Sequence, residues 1–116
     1  MYKSKNLFES FKHAFSGMTF AFRNEKNFKI HFMAMIIAIS LGLLFKLSTV
    51  RWVLLFLQIG MVISVEVINS AFERTVDLIV QDYNIEAKRI KDMAAGAVLV
   101  VSIVAVINGV LIFLIK

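Results

Sequence analysis

Three stretches of the chain are nearly free of charge. Residues 30–45 carry no charged side chain, residues 52–72 carry one, Glu66, and residues 93–115 carry none. A helix needs about 20 mostly apolar residues to cross a hydrocarbon core roughly 30 Å thick. The third stretch meets that length alone, and the second meets it with Glu66 held near one end. The first is short, but Lys29 and Lys46 flank it and can snorkel outward. No polar stripe interrupts residues 93–115, as the surface helix of a water-soluble bundle would require. The pattern predicts three transmembrane helices, over 29–47, 51–73 and 92–115.

Ahead of the first span the period changes. Leu7, Phe8, Phe11, Ala14, Phe15, Met18 and Phe22 recur at steps of three and four, while Lys5, Glu9, Lys12 and Ser16 fall on the other side. This predicts an amphipathic helix over 4–26, its aromatic face suited to the membrane interface. The one clear turn region is 81–84, where Asn84 can cap the following helix. The expected architecture is an all-α integral membrane protein, residues 1–116 forming one domain.

Composition supports this. The chain has 116 residues, 59% hydrophobic and 18% charged, with no Pro and no Cys. Mean hydropathy is +0.81. Average soluble domains are nearer half apolar and a quarter charged, so a water-soluble monomer is disfavoured and a disordered chain excluded. Without Cys there are no disulfides, cysteine–zinc sites or thiol chemistry. The first 29 residues are too polar for a cleaved signal peptide.

Net charge is +5, from 13 Lys and Arg against 8 Asp and Glu. With three spans, residues 1–29 and the connection at 73–92 share one side, which holds ten of the basic residues against three on the other. The positive-inside rule places the first side in the cytoplasm and the C-terminus outside. An anionic membrane surface then accounts for the basic excess, and no nucleic acid partner is needed.

The polar residues within the apolar stretches carry the candidate chemistry. A carboxylate at membrane depth is costly and by default marks function. Glu66, Asn69, Glu73 and Asp77 are spaced three, four and four apart, within a sector of about 80° on one helix face, and Ser70 borders it. Lys88, Arg89, Lys91 and Asp92 enter on the same side, as does Glu25 at the end of the amphipathic helix. Acidic oxygens suit magnesium, which also keeps phosphates as partners. A lysine can neutralise a phosphate, an amide can orient a hydroxyl, and a carboxylate in a partly apolar site can accept a proton. These are parts of a phosphoryl-transfer site without a Gly-rich loop. Taken singly, Glu73, Arg74 and Asp77 read as a solvated helix end. Lys88, Arg89 and Lys91 read as ordinary cytoplasmic-side charges, and His13 and His31 as membrane-boundary residues. A proton or cation relay through Glu66 in a small transporter is the competing reading, and a non-catalytic scaffold a third. Trp52 reads as an interfacial anchor and Asn108 as an interhelical hydrogen-bonding group.

Glu66-Val67-Ile68-Asn69-Ser70-Ala71-Phe72-Glu73-Arg74-Thr75-Val76-Asp77 resembles the signature of the prokaryotic diacylglycerol kinase family, E-x-[aliphatic]-N-[ST]-A-[apolar]-E-x-x-V-D. Lys91-Asp92-Met93 resembles the family's K-D-M, and Asn24-Glu25-x-x-Phe28 its N-E-x-x-F. The resemblance implies a bacterial inner (cytoplasmic) membrane lipid kinase, a homotrimer with sites shared between subunits and ATP with Mg2+ as donor. It implies Glu66 as the general base and Glu25 and Glu73 as metal ligands. Asn69, Ser70 and Asp92 would organise the site, and Glu25, Glu73, Asp77, Lys91 and Asp92 would surround the nucleotide. Residues 24–31 are similar to the undecaprenol kinase branch, N-E-x-N-[FL]-[RK]-x-H, whereas the diacylglycerol branch carries a glutamate where His31 stands. Undecaprenol is therefore the expected acceptor, with diacylglycerol as the alternative.

Overall fold

The computed structural model describes residues 6–115; Lys3, Lys5, Lys116 and the expected helix start at residue 4 lie outside them. Four helices follow one another: α1 (Leu7–Asn24), α2 (Lys26–Phe45), α3 (Thr49–Ile79) and α4 (Ile85–Leu114). The last three are long and apolar enough to cross a membrane.

Each helix end has a local cause. Asn6 caps α1, its side-chain oxygen accepting the Glu9 N–H at 2.9 Å. At the other end Asn24 Nδ2 folds back on the Phe20 carbonyl, and Lys29 Nζ donates to the Arg23 carbonyl, one of those that a terminus leaves unpaired. Glu25 is extended, at φ −110° and ψ 116°, and breaks the chain between α1 and α2 without proline. Helix α2 ends at Lys46 in the left-handed conformation, φ 54°, and Ser48 then caps α3 through the Arg51 N–H. Asn84 caps α4 as its sequence position predicts, its side-chain oxygen accepting the Glu86 and Ala87 N–H groups.

Helix α3 has 31 residues and at 1.5 Å per residue is about 46 Å long, well beyond a hydrocarbon core of roughly 30 Å. Its last turns, with Glu73, Arg74 and Asp77, and the first turns of α4, with Lys88, Arg89, Lys91 and Asp92, continue past the apolar stretches as helix. Candidate residues are thereby held on rigid elements rather than loops.

Packing is inverted relative to a water-soluble domain. Buried positions include the polar Gln58, Glu66, Asn69 and Ser70 of α3, while most large apolar side chains of α2, α3 and α4 point outward. In water such a surface would drive aggregation; in a bilayer it is the favourable arrangement, since polar groups need internal partners there. Helices α3 and α4 make the most extensive contact, with α2 against α3 and α1 touching α2 and α3. Asn108 Nδ2 donates to Gln58 Oε1 at 2.6 Å, the interhelical bond expected of Asn108, and Gln58 Nε2 donates to the Val101 carbonyl. At the opposite end from the charged turns, the Arg51 guanidinium donates to the Leu111 and Ile112 carbonyls, where the last carbonyls of α4 lack helical partners. Trp52 stacks on Phe56 at 5.5 Å between ring centroids. Its ring tip occupies the space beside Gly42, where a Cβ would lie 2.6 Å from it.

Candidate active site

The site begins at Glu66, which the α3 periodicity turns inward, leaving it 2% exposed. A buried carboxylate needs partners. On α2, His31 Nε2 lies 3.4 Å from Glu66 Oε2. Glu73 and Glu25 are also near enough to act on Glu66 electrostatically. One turn along α3, Asn69 Nδ2 donates to Glu73 Oε1 at 3.4 Å. Asn69 Oδ1 is buried and has no hydrogen-bond partner among the described residues. Ser70 is buried beside it.

Glu25 reaches this group from the break between α1 and α2. Its Oε1 accepts from Arg74 Nε of α3 at 3.0 Å, and the Arg74 guanidinium also lies over the Phe20 ring, 4.5 Å from its centroid. An exposed ion pair alone contributes little, but here a cation–π contact joins it, and together they tie the end of α1 to α3. The ring pairs Phe22–Phe28 and Phe22–Phe32 close the same corner edge to face.

The remaining candidates form a second group nearer the ends of α3 and α4. Lys91 Nζ donates to Asp77 Oδ1 at 2.5 Å across the two helices. Lys88 pairs with Asp92 at 2.6 Å within α4. Asp77 is 11 residues beyond Glu66, about 16 Å along the helix. A single chain thus unites Glu25, Glu66, Asn69, Ser70 and Glu73, and holds Asp77, Lys91 and Asp92 apart from Glu66. Among the described residues no three His, Asp or Glu side chains converge tightly enough to hold an ion on their own. Two carboxylates and an orphaned amide oxygen are nevertheless the hard donors that magnesium takes alongside phosphate and water.

An apolar cavity of about 350 Å³ lies between α2, α3 and α4. Ala38, Ile59, Val62, Ala105 and Phe113 are among its walls, and His31 is its titratable lining residue, at the end nearest Glu66. The size suits a small-ligand site.

Three contributors escape a reading of helix faces. His31 looks like a boundary residue until α2 is laid on α3. Arg74 looks like a solvated charge, and Gln58 is one amide within a long apolar run. The one sequence signal for His31 is its place in the N-E-x-N-[FL]-[RK]-x-H pattern. Gln58 could have been suspected on the ground that led to Asn108, since an amide at membrane depth needs a partner.

Comparison with known proteins agrees with the geometry. The family model described as prokaryotic diacylglycerol kinase matches residues 12–113. An undecaprenol kinase of Bacillus subtilis strain 168 is 44% identical over 110 residues, covering 95% of this chain and 89% of the relative. A diacylglycerol kinase of Synechocystis is 41% identical over 90% of this chain, which spans 60% of that relative. A diacylglycerol kinase of Escherichia coli K12 is 34% identical over 83% of this chain and 79% of its own length. With three membrane-length helices and a buried carboxylate inside the matched region, the chain belongs to the prokaryotic diacylglycerol kinase family, a family of lipid kinases.

Proposed function

We propose that this chain transfers the γ-phosphoryl group of ATP to the hydroxyl of a membrane lipid alcohol, and that the acceptor is undecaprenol. The carrying observation is the position of Glu66, a carboxylate shielded from water beside the end of an apolar cavity. An acceptor that is a long hydrocarbon ending in a hydroxyl matches both features. Glu66 takes the hydroxyl proton as the acceptor oxygen bonds to the γ-phosphorus. The bond from that phosphorus to its bridging oxygen breaks, and ADP leaves. Asn69, whose Oδ1 has no partner among the described residues, and Ser70 orient the acceptor. Glu25 and Glu73 hold magnesium, which when bound neutralises phosphate charge. Lys91 contacts phosphate oxygens, positioned by Asp77, with Asp92 organising the same end. Water exclusion by the apolar walls limits wasteful hydrolysis of ATP.

The separation of Lys91 from Glu66 within one chain supports sites completed by neighbouring subunits, and the family resemblance supports a homotrimer as the assembly. The uncovered aromatic side chains of Leu7–Asn24, with Phe8 and Phe15 about three-quarters exposed, support a helix lying in the membrane interface over the lipid entry. The basic bias supports a cytoplasmic N-terminus and active site, in the bacterial inner membrane, with the C-terminus outside.

The 44% identity to an undecaprenol kinase and His31 in the branch pattern support undecaprenol. The relatives named diacylglycerol kinase support the second reading, phosphorylation of diacylglycerol. Purified protein supplied with labelled ATP, magnesium and each lipid separately decides between them by where the label goes. Label in neither lipid, with Glu66-dependent cation flux in proteoliposomes, overturns the kinase reading. Glu66→Gln is expected to fold and to lose turnover, because an amide accepts no proton; unchanged turnover removes the base role.

A further inference from the structure

We infer that His31 is a positioning residue for Glu66, holding one carboxylate oxygen so that the acceptor hydroxyl arriving from the apolar cavity meets a correctly oriented base. The inference rests on Glu66 as the base, as proposed above.

Three observations converge on this ring. His31 Nε2 is 3.4 Å from Glu66 Oε2, and among the described residues His31 is the basic side chain within ion-pair distance of that carboxylate. The other charged groups acting on Glu66, Glu73 of α3 and Glu25 at the α1–α2 break, are carboxylates. They repel it and cannot donate a hydrogen to it unless protonated. The same ring lines the apolar cavity between α2, α3 and α4, so one side chain touches both the acceptor space and the base.

The residue type fits the task. A lysine at this depth would snorkel away along its flexible stem. An imidazole is planar, carries an N–H whether neutral or charged, and presents an apolar face to the cavity. Its backbone is held on both sides. Phe28, 4% exposed, lies one turn earlier, and both Phe28 and the adjacent Phe32 pack edge to face on Phe22 of α1. The ring therefore works from a fixed platform, and the carboxylate loses rotational freedom when it is engaged. Misplacing a reacting group by about 1 Å can lower a rate about 100-fold, so orientation of Glu66 is a sufficient reason for the contact.

The test compares kcat, KM for ATP and KM for the lipid in full-length His31→Leu, His31→Gln and Glu66→Gln, purified in detergent. His31→Leu keeps the bulk and removes the donor. It is expected to lower kcat by about 10- to 100-fold, with KM for ATP unchanged, which also shows that the nucleotide site has folded. His31→Gln restores an N–H at similar reach and is expected to recover most of kcat. Wild-type kcat in His31→Leu, with Glu66→Gln inactive, overturns this inference alone. Equal loss in His31→Leu and His31→Gln also overturns it, because ring shape rather than a donor would then be the requirement. Full activity in Glu66→Gln overturns the base assignment and this inference with it.

Discussion

Residues in this protein are chosen for the company they keep at membrane depth. Glu66, Asn69 and Gln58 are buried on α3, and each would be costly alone. Glu66 has His31, and Asn69 donates to Glu73 while its carbonyl oxygen has no partner among the described residues. Gln58 is held between Asn108 and the Val101 carbonyl. The Gln58–Asn108 pair is structural. Replacing Asn108 with Leu is expected to destabilise the fold by about 1 kcal/mol, read from reversible unfolding in mixed micelles. The double replacement Gln58→Leu with Asn108→Leu should cost less than the two single losses together, because no partner is left unpaired. Strict additivity would mean that the two amides act independently. Presence of the polar residues was readable from sequence, but their pairing was not, because an apolar run gives no measure of how one helix is rotated against another.

Helices place the chemistry by running further than the membrane requires. The sequence shows where charge begins, near residue 73, and the helix continues to Ile79. The antiparallel helix starts at Ile85, so Asp77 and Lys91 meet within about one and a half turns of the apolar region. At the other end a different device sets the spacing of α2 and α3. Gly42 admits the Trp52 ring tip at a distance no side chain could tolerate, and the ring is also braced by Phe56. Trp52, at the edge of an apolar stretch, thus also packs against α2 within the chain. Gly42→Val should force α2 and α3 apart and cost about 1–3 kcal/mol by overpacking. Thermal unfolding in detergent should show a lower midpoint, and Trp52 emission should shift. An unchanged midpoint would mean that the ring can move aside.

For the whole molecule, the outward-facing apolar surface and the buried polar side chains of α3 make a chain suited to a bilayer. If each site takes Glu66 from one subunit and Lys91 from the next, two inactive proteins should complement each other. Glu66→Gln and Lys91→Ala chains, unfolded and reassembled together in equal amounts, should recover about a quarter of wild-type activity for random mixing in a cyclic assembly. No recovery, with each variant assembling normally, would mean that each chain builds its site alone. A lipid kinase with sites at subunit boundaries would draw its acceptor from the bilayer side and its nucleotide from water, matching an apolar cavity that ends at a polar cluster.

The sequence alone sufficed for the features that depend on neighbours along the chain. These are the three apolar stretches, the shared face of Glu66, Asn69, Glu73 and Asp77, and the Asn84 cap. All follow from periods of a few residues and from the cost of charge in hydrocarbon. Tertiary structure decided which face of one helix meets which face of another. It brought His31 to Glu66, Arg74 to Glu25 and Phe20, and Asn108 to Gln58, and it opened the cavity between three helices. The physical reason is that rotation and axial offset between helices are set by the close packing of contacts such as Trp52 on Gly42. That information is spread over residues far apart in the chain and leaves no local period to read.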